Sequence, residues 1–218
     1  MIDLPEKNIV VNLHEFISSL QEIKDDAAVI DLCRKKVLHG TPHIFEGQED
    51  KYYEFRKRIS EEFDIAFHEV FITGSAKLGF SPRKRKNFDY DSDIDVAIVS
   101  QNLYDRIIDI ICIYQMELRR ARRTVTYDEL KMYHSFLEYT TMGWIRPDKL
   151  PVSFKVNELK NQWFDFFKSI SYGKSEVGNY KVTAGIFKTY QHFEMYTLSG
   201  LIDLKKSLEI GGEHGKSN

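Results

Sequence analysis

Cysteine is almost missing from this chain. Among 218 residues there are two, Cys33 and Cys112, too few and too isolated for a disulfide framework or a zinc site. Both fall inside apolar helical patterns, which predicts buried free thiols. Long hydrophobic runs are missing as well. No segment approaches the roughly 18 to 20 apolar residues needed to span a bilayer, so direct membrane insertion is not expected. The opening Met1-Ile2-Asp3-Leu4-Pro5-Glu6 has neither the basic nor the apolar region of a secretory signal, and a cytoplasmic location follows. A dominant charge is lacking too. The formal net charge of -2 excludes a uniformly basic nucleic-acid binder. That small sum hides segregation: Arg83-Lys84-Arg85-Lys86 is followed at once by Asp89, Asp91, Asp93 and Asp95.

What is present is 42% hydrophobic and 29% charged, the balance of a globular chain that can bury one substantial core. Its length predicts a single domain over residues 1–218, with a helical N-terminal cover at 1–66, a core and C-terminal helix at 67–208, and a mobile tail at 209–218. Helical spacing runs through Leu13 to Leu20, then Ala27 to Leu38 behind a cap at Asp26, then Tyr52 to Phe63. Later helices are expected at Leu103 to Leu118, Tyr127 to Tyr139, Asn157 to Ile170 and Tyr190 to Leu208, with Pro147 to Pro151 as a connector. Strands are expected at Glu69 to Thr73, Asp93 to Val99 and Val182 to Phe187, where β-branched and aromatic residues concentrate. The fold class is therefore α/β in the α+β sense, a mixed sheet wrapped by N- and C-terminal helices. No internal repeat interrupts this order.

Two features carry chemistry. Asp93 and Asp95 are one residue apart at the start of a strand, so both point to one face and can share ligands. Like charges held that close repel unless a cation lies between them, and hard divalent ions with oxygen ligands suit the pair. Mg2+ bridging to a triphosphate is the economical occupant, with Mn2+ as a substitute. Upstream, a strand runs into Gly74-Ser75 and then a helical turn, which leaves backbone N–H groups and a hydroxyl where a phosphate can approach. Lys77 adds a positive charge one turn away. Taken alone, Asp-Ile-Asp is commonly a solvated strand start; its order after Gly-Ser and before an apolar strand makes nucleotide chemistry the stronger reading.

Other charged groups have ordinary explanations. Asp89 and Asp91 fit loop acids, Arg83 to Lys86 fits a solvated loop or an electrostatic guide for a polyanion, and Arg119, Arg120, Arg122 and Arg123 fit a helix end. The seven histidines show no ligand spacing, and His39 and His43 flank the turn Gly40-Thr41-Pro42. Tyr190, Phe193 and Tyr196 with Leu201 fit one packed helix face.

The segments Phe71-Ile72-Thr73-Gly74-Ser75 and Ser92-Asp93-Ile94-Asp95-Val96-Ala97-Ile98 resemble the signature of the DNA polymerase β superfamily of nucleotidyltransferases. With Gly40-Thr41-Pro42 ahead of Gly74 to Ser81, the spelling resembles small bacterial anti-phage nucleotidyltransferases, the Hailong type among them. The resemblance covers about residues 40–100. It implies a palm-like core and transfer of a nucleoside monophosphate from an NTP or dNTP to a hydroxyl with release of pyrophosphate. It also implies Asp93 and Asp95 as metal-binding catalytic residues, and Gly74, Ser75 and Lys77 as nucleotide-binding. An oligonucleotide product, a defence effector protein as partner, and a primer tyrosine near the chain's end follow from the same likeness, with Tyr196 and then Tyr190 as candidates. Two departures stand beside it. The loop between the motifs is longer than usual, and neither Val152 to Val156 nor Val182 to Phe187 contains the third carboxylate that such enzymes place beside the pair. Asp165, Glu176 and Glu194 are the available substitutes. The alternatives are a toxin-type transferase acting on tRNA or protein, and a non-catalytic nucleotide-binding module.

Overall fold

The computed structural model describes residues 6–120, 122, 124–151 and 154–214. Helices α1 (Glu6–Glu22) and α2 (Asp26–Leu32) open the chain. Asp25, one residue before the expected cap, accepts from the Ala27 N–H. The helix expected to continue to Leu38 changes pitch at Cys33 and finishes as a π-helical turn over Cys33–Leu38. α3 (Glu49–Phe63) then leads into β1 (Val70–Thr73), and β1 turns at once into the short α4 (Gly74–Leu78). Two two-residue strands, β2 (Phe80–Ser81) and β3 (Lys86–Asn87), pair as a hairpin outside the expected strands, with Arg83, Lys84 and Arg85 of the basic run in its turn.

β4 covers Asp93–Val99, with the bounds that its composition predicts. α5 (Gln101–Arg119) starts at Ser100, whose hydroxyl accepts from Leu103 N–H, and α6 (Tyr127–Thr141) starts at a reciprocal Thr126–Glu129 cap. β5 (Trp144–Ile145), α7 (Phe154–Ser169), β6 (Lys181–Phe187) and α8 (Tyr190–His214) complete the chain. α8 runs past Leu208 into the segment expected to be mobile; residues 215–218 of that segment lie outside the described residues, as do Val152, Ser153 and Arg123. The segment 154–156 is helical, so no strand forms there.

The sheet order is β1-β4-β6-β5, with β1 and β5 antiparallel to their neighbours and the central β4 and β6 parallel. The fold is thus mixed α/β around a mixed four-stranded sheet. α5, α6 and α7 all lie in the connection between the two parallel strands, which need a long crossover. Period two sends Ile94, Val96 and Ile98 to one face, where they join Phe55, Ile59 and Phe63 of α3 and Ile107 and Ile111 of α5 in the main core. The N-terminal cover is accordingly divided, because α3 belongs to that core. α1 and α2 pack separately, with α8, around Phe16, Leu20, Val29, Cys33 and Leu201. Cys33 is buried there as expected, whereas Cys112 lies on the exposed side of α5, a correction to the expected burial of both. Among the described residues no helix is long and apolar enough to cross a membrane.

Candidate active site

Residues paired across a sheet share a face, so the β4 register builds the site row by row. One row is Thr73, Asp95 and Thr183 on β1, β4 and β6; the next, toward the open end, is Asp93 and Lys181. Behind them come Phe71, Ala97 and Gly185, then Val99, Phe187 and Trp144. Polar groups therefore occupy the open end of one face, and apolar groups its closed end.

The open end forms the floor of a cavity of about 950 Å³ that also reaches Ala97, Gly185, Phe187 and Phe193 toward the closed end. Thr73, Gly74, Asp95, Lys181 and Thr183 contribute to the floor, and Trp144, Trp163, Phe164, Tyr172 and Tyr196 supply aromatic walls, with Arg146 and Lys168 as cations. Phe164, Tyr172 and Tyr196 remain 43%, 59% and 43% exposed, leaving ring surface available to a ligand. Tyr172 has a φ of 56°, a left-handed conformation uncommon for a bulky residue, closed by its N–H donating to Tyr180 O at 2.8 Å.

Asp95 is open to the cavity yet surrounded by protein, and that desolvation raises its carboxyl above the usual range. A hydrogen bond from the Thr183 hydroxyl to Oδ1, 2.8 Å long, opposes the rise; Asp93 adds to it, and Lys84 and Lys181 reduce it. Asp93 Oδ2 lies 3.6 Å from Lys181 Nζ. Gly74 has a φ of 67°, and a Cβ there would stand 2.8 Å from Asp95 Oδ2. The turn thus brings backbone against the second aspartate with no room for a side chain.

Lys77 is placed differently from its expected role. It is 7% exposed, and its ammonium donates to the carbonyls of His39, Gly40 at 2.6 Å and Thr41 at 3.4 Å. Burial lowers its pKa. All three partners belong to the turn before Pro42, so Lys77 braces α4 against that turn and its charge is directed away from the cavity floor. Ser75 is half-buried and does not line the cavity; its carbonyl accepts from Gly79 N–H at 2.8 Å. His43 packs under Gly79, in keeping with a turn role.

The two tyrosines separate. Tyr196 lines the cavity, its ring 4.4 Å from that of Trp144. Burial raises its phenol most; Arg146 and Arg83 oppose the rise, Tyr139 and Asp95 add to it. Tyr190 packs on Phe71 and does not line the cavity; its neighbours are Glu194, Cys33 and Arg34.

None of the substitute acids joins the pair. Glu194 receives two bonds from Arg34, at 2.7 and 3.2 Å, and Glu176 pairs with Arg58 at 2.7 Å. Asp165 is exposed and does not line the cavity. Asp89 is drawn below its ordinary pKa, first by Lys86 at 2.8 Å, and accepts from Ser92. Among the described residues no group of three or more histidines, cysteines and acids gathers around one point. Two carboxylates still fit magnesium, which is commonly held by one or two carboxylates together with water and substrate phosphates. Sequence reasoning missed Thr183, Lys181, Arg146 and every aromatic wall except Tyr196; only Thr183 had a sequence signal, as a polar residue inside an apolar strand. Comparison with protein-family models, curated proteins and solved structures found no match.

Proposed function

We propose that the chain is a Mg2+-dependent nucleotidyltransferase with a palm-like core, transferring a nucleoside monophosphate from an NTP or dNTP to a hydroxyl. The observation that carries this reading is the meeting of Asp95 and the Gly74 turn on the floor of a cavity that also contains Tyr196, with Asp93 one row further along the same face of the strand. In the reaction the acceptor hydroxyl loses its proton to solvent as its oxygen attacks the α-phosphorus, the bond to the bridging oxygen breaks, and pyrophosphate leaves. Asp93 and Asp95 would hold the metal, which supplies neutralisation of phosphate charge. Gly74 begins the turn and lets backbone approach the phosphates, and Ser75 follows it with its N–H group. Arg146, Lys168 and Lys181 offer cations around a triphosphate, while the aromatic walls accept a base. Lys77 acts by holding the turn.

Tyr196 is the acceptor favoured by position, since it shares the cavity with Asp95 and Tyr190 does not. Growth on this phenol would make an oligonucleotide signal, which the resemblance to anti-phage enzymes connects with an effector partner. A second reading, transfer to tRNA or protein, is supported by the basic β2–β3 turn, whose cations could meet a polyanion. One experiment separates them. The protein is incubated with each of the eight common triphosphates and Mg2+ or Mn2+, and intact mass and soluble products are recorded. Nucleotide mass on the parent but not on Tyr196→Phe supports self-priming; product on added RNA or protein alone supports the second reading. Binding without pyrophosphate release under any triphosphate leaves only a nucleotide-binding module.

A further inference from the structure

The parallel register sets Lys181 beside Asp93 and Thr183 beside Asp95, all on one face. On the other flank β1 ends at Thr73, opposite Asp95. A ligand reaching the aspartate pair from a neighbouring strand must therefore come from Thr73, Lys181 or Thr183. The structure offers two hydroxyls and an ammonium there, and no carboxylate. Thr183 occupies Asp95 Oδ1, leaving Oδ2 toward the Gly74 turn, where phosphate is proposed to lie. Lys181 Nζ, 3.6 Å from Asp93 Oδ2, already sets a positive charge against that carboxylate. Two such ions beside that ammonium would place five positive charges against two carboxylates. One ion with Lys181 leaves a modest positive excess, suited to a phosphate that arrives with its own charge.

Resting on the nucleotidyl-transfer reading, we propose that Asp93 and Asp95 hold one divalent cation and that Lys181 takes the place of a second, contacting phosphate oxygens as a fixed point charge. Thr183 is a positioning residue that turns Asp95 Oδ2 toward the ion.

The test is equilibrium dialysis with Mn2+ and a triphosphate analogue that cannot be cleaved between the α- and β-phosphorus, with bound Mn2+ counted by electron paramagnetic resonance. The parent should bind one Mn2+ per bound nucleotide. Lys181→Met, at an exposed position, should bind that ion about two- to fivefold more tightly, the range of a lost exposed ion pair, while binding the analogue more weakly. Lys181→Arg should restore nucleotide affinity. The double variant Lys181→Ala, Thr183→Asp supplies a carboxylate in place of the cation and should bind two Mn2+. Should it fail to fold, as read by its melt, the parent count and the Lys181→Met affinities decide. Two Mn2+ in the parent, or unchanged affinities in Lys181→Met, overturn the inference alone. A parent that binds neither Mn2+ nor nucleotide overturns the nucleotidyl-transfer reading and this inference with it.

Discussion

The two ends of β4 and β6 present the same face of the same strands and do opposite work. At the closed end Ala97, Val99, Phe187 and Phe193 pack together, and the Trp144 ring lies parallel to Phe187 at 5.7 Å. At the open end the same alternation brings Asp95, Lys181 and Thr183 to a cavity, with Asp93 beside Lys181. The closed end tolerates an unmet polar group, the buried Trp144 indole N–H, in return for dense ring contacts. The open end holds like charges together in a partly desolvated place. Stability accrues at one end and is given up at the other, a division common at functional sites.

The largest effect that sharpens this contrast is expected at the aspartates. Asp93→Asn or Asp95→Asn should lower nucleotide incorporation by about 10²-fold or more, because metal neutralisation of phosphate charge is worth several kcal/mol. Circular dichroism should remain that of the parent; full turnover in the double variant would remove these residues from the chemistry. Next in size is the closed end. A Cβ on Gly185 would stand 2.6 Å from Trp144 Nε1, and the indole is held by Phe187, Tyr139 and Tyr196. Gly185→Ala should therefore cost about 1–3 kcal/mol in denaturant unfolding, the usual range for overpacking. An unchanged midpoint would show that the ring stack yields easily.

A smaller effect has the opposite sign. Because the Asp95 carboxyl is raised in the fold, its ionisation costs stability above that raised pKa and costs nothing below the ordinary carboxylate pKa of about 4. Asp95→Asn should thus melt slightly higher than the parent at neutral pH, and the gap should close as pH falls through the raised pKa. A gap that persists or widens in acid would contradict the desolvated site. The smallest effect concerns the thiols. Burial pushes Cys33 up to about 11, with Glu194 adding to the rise, while Cys112 is exposed. Iodoacetamide on the folded protein should modify Cys112 and spare Cys33, as peptide mass mapping would show.

Local chemistry made several elements legible. Asp93 to Val99 announces a strand by β-branched residues after a polar start, and the observed bounds are the same. Other elements were hidden for physical reasons. Trp144–Ile145 is too short for any periodicity, and it pairs with β6 because α6 delivers it there. The β2–β3 hairpin contains a turn of charged residues, so its sequence reads as a solvated loop. Lys181 lies before the apolar run at Val182, yet the ladder with Asp93 includes it. Lys77 has the same spacing from Gly74 whether it meets a phosphate or a carbonyl, and folding of the distant Gly40 turn decides between them.

By itself the sequence determined the order of most helices and strands, the shared face of Asp93 and Asp95, and the Gly74-Ser75 turn behind a strand. These depend on neighbours within a few positions, where side-chain alternation and backbone sterics act directly. Tertiary structure alone decided that Thr183 and Lys181 complete the floor, that Lys77 turns away, and that Tyr196 enters the cavity while Tyr190 does not. Each of those outcomes joins residues tens of positions apart through sheet register or helix packing, and none of the three is written in local spacing.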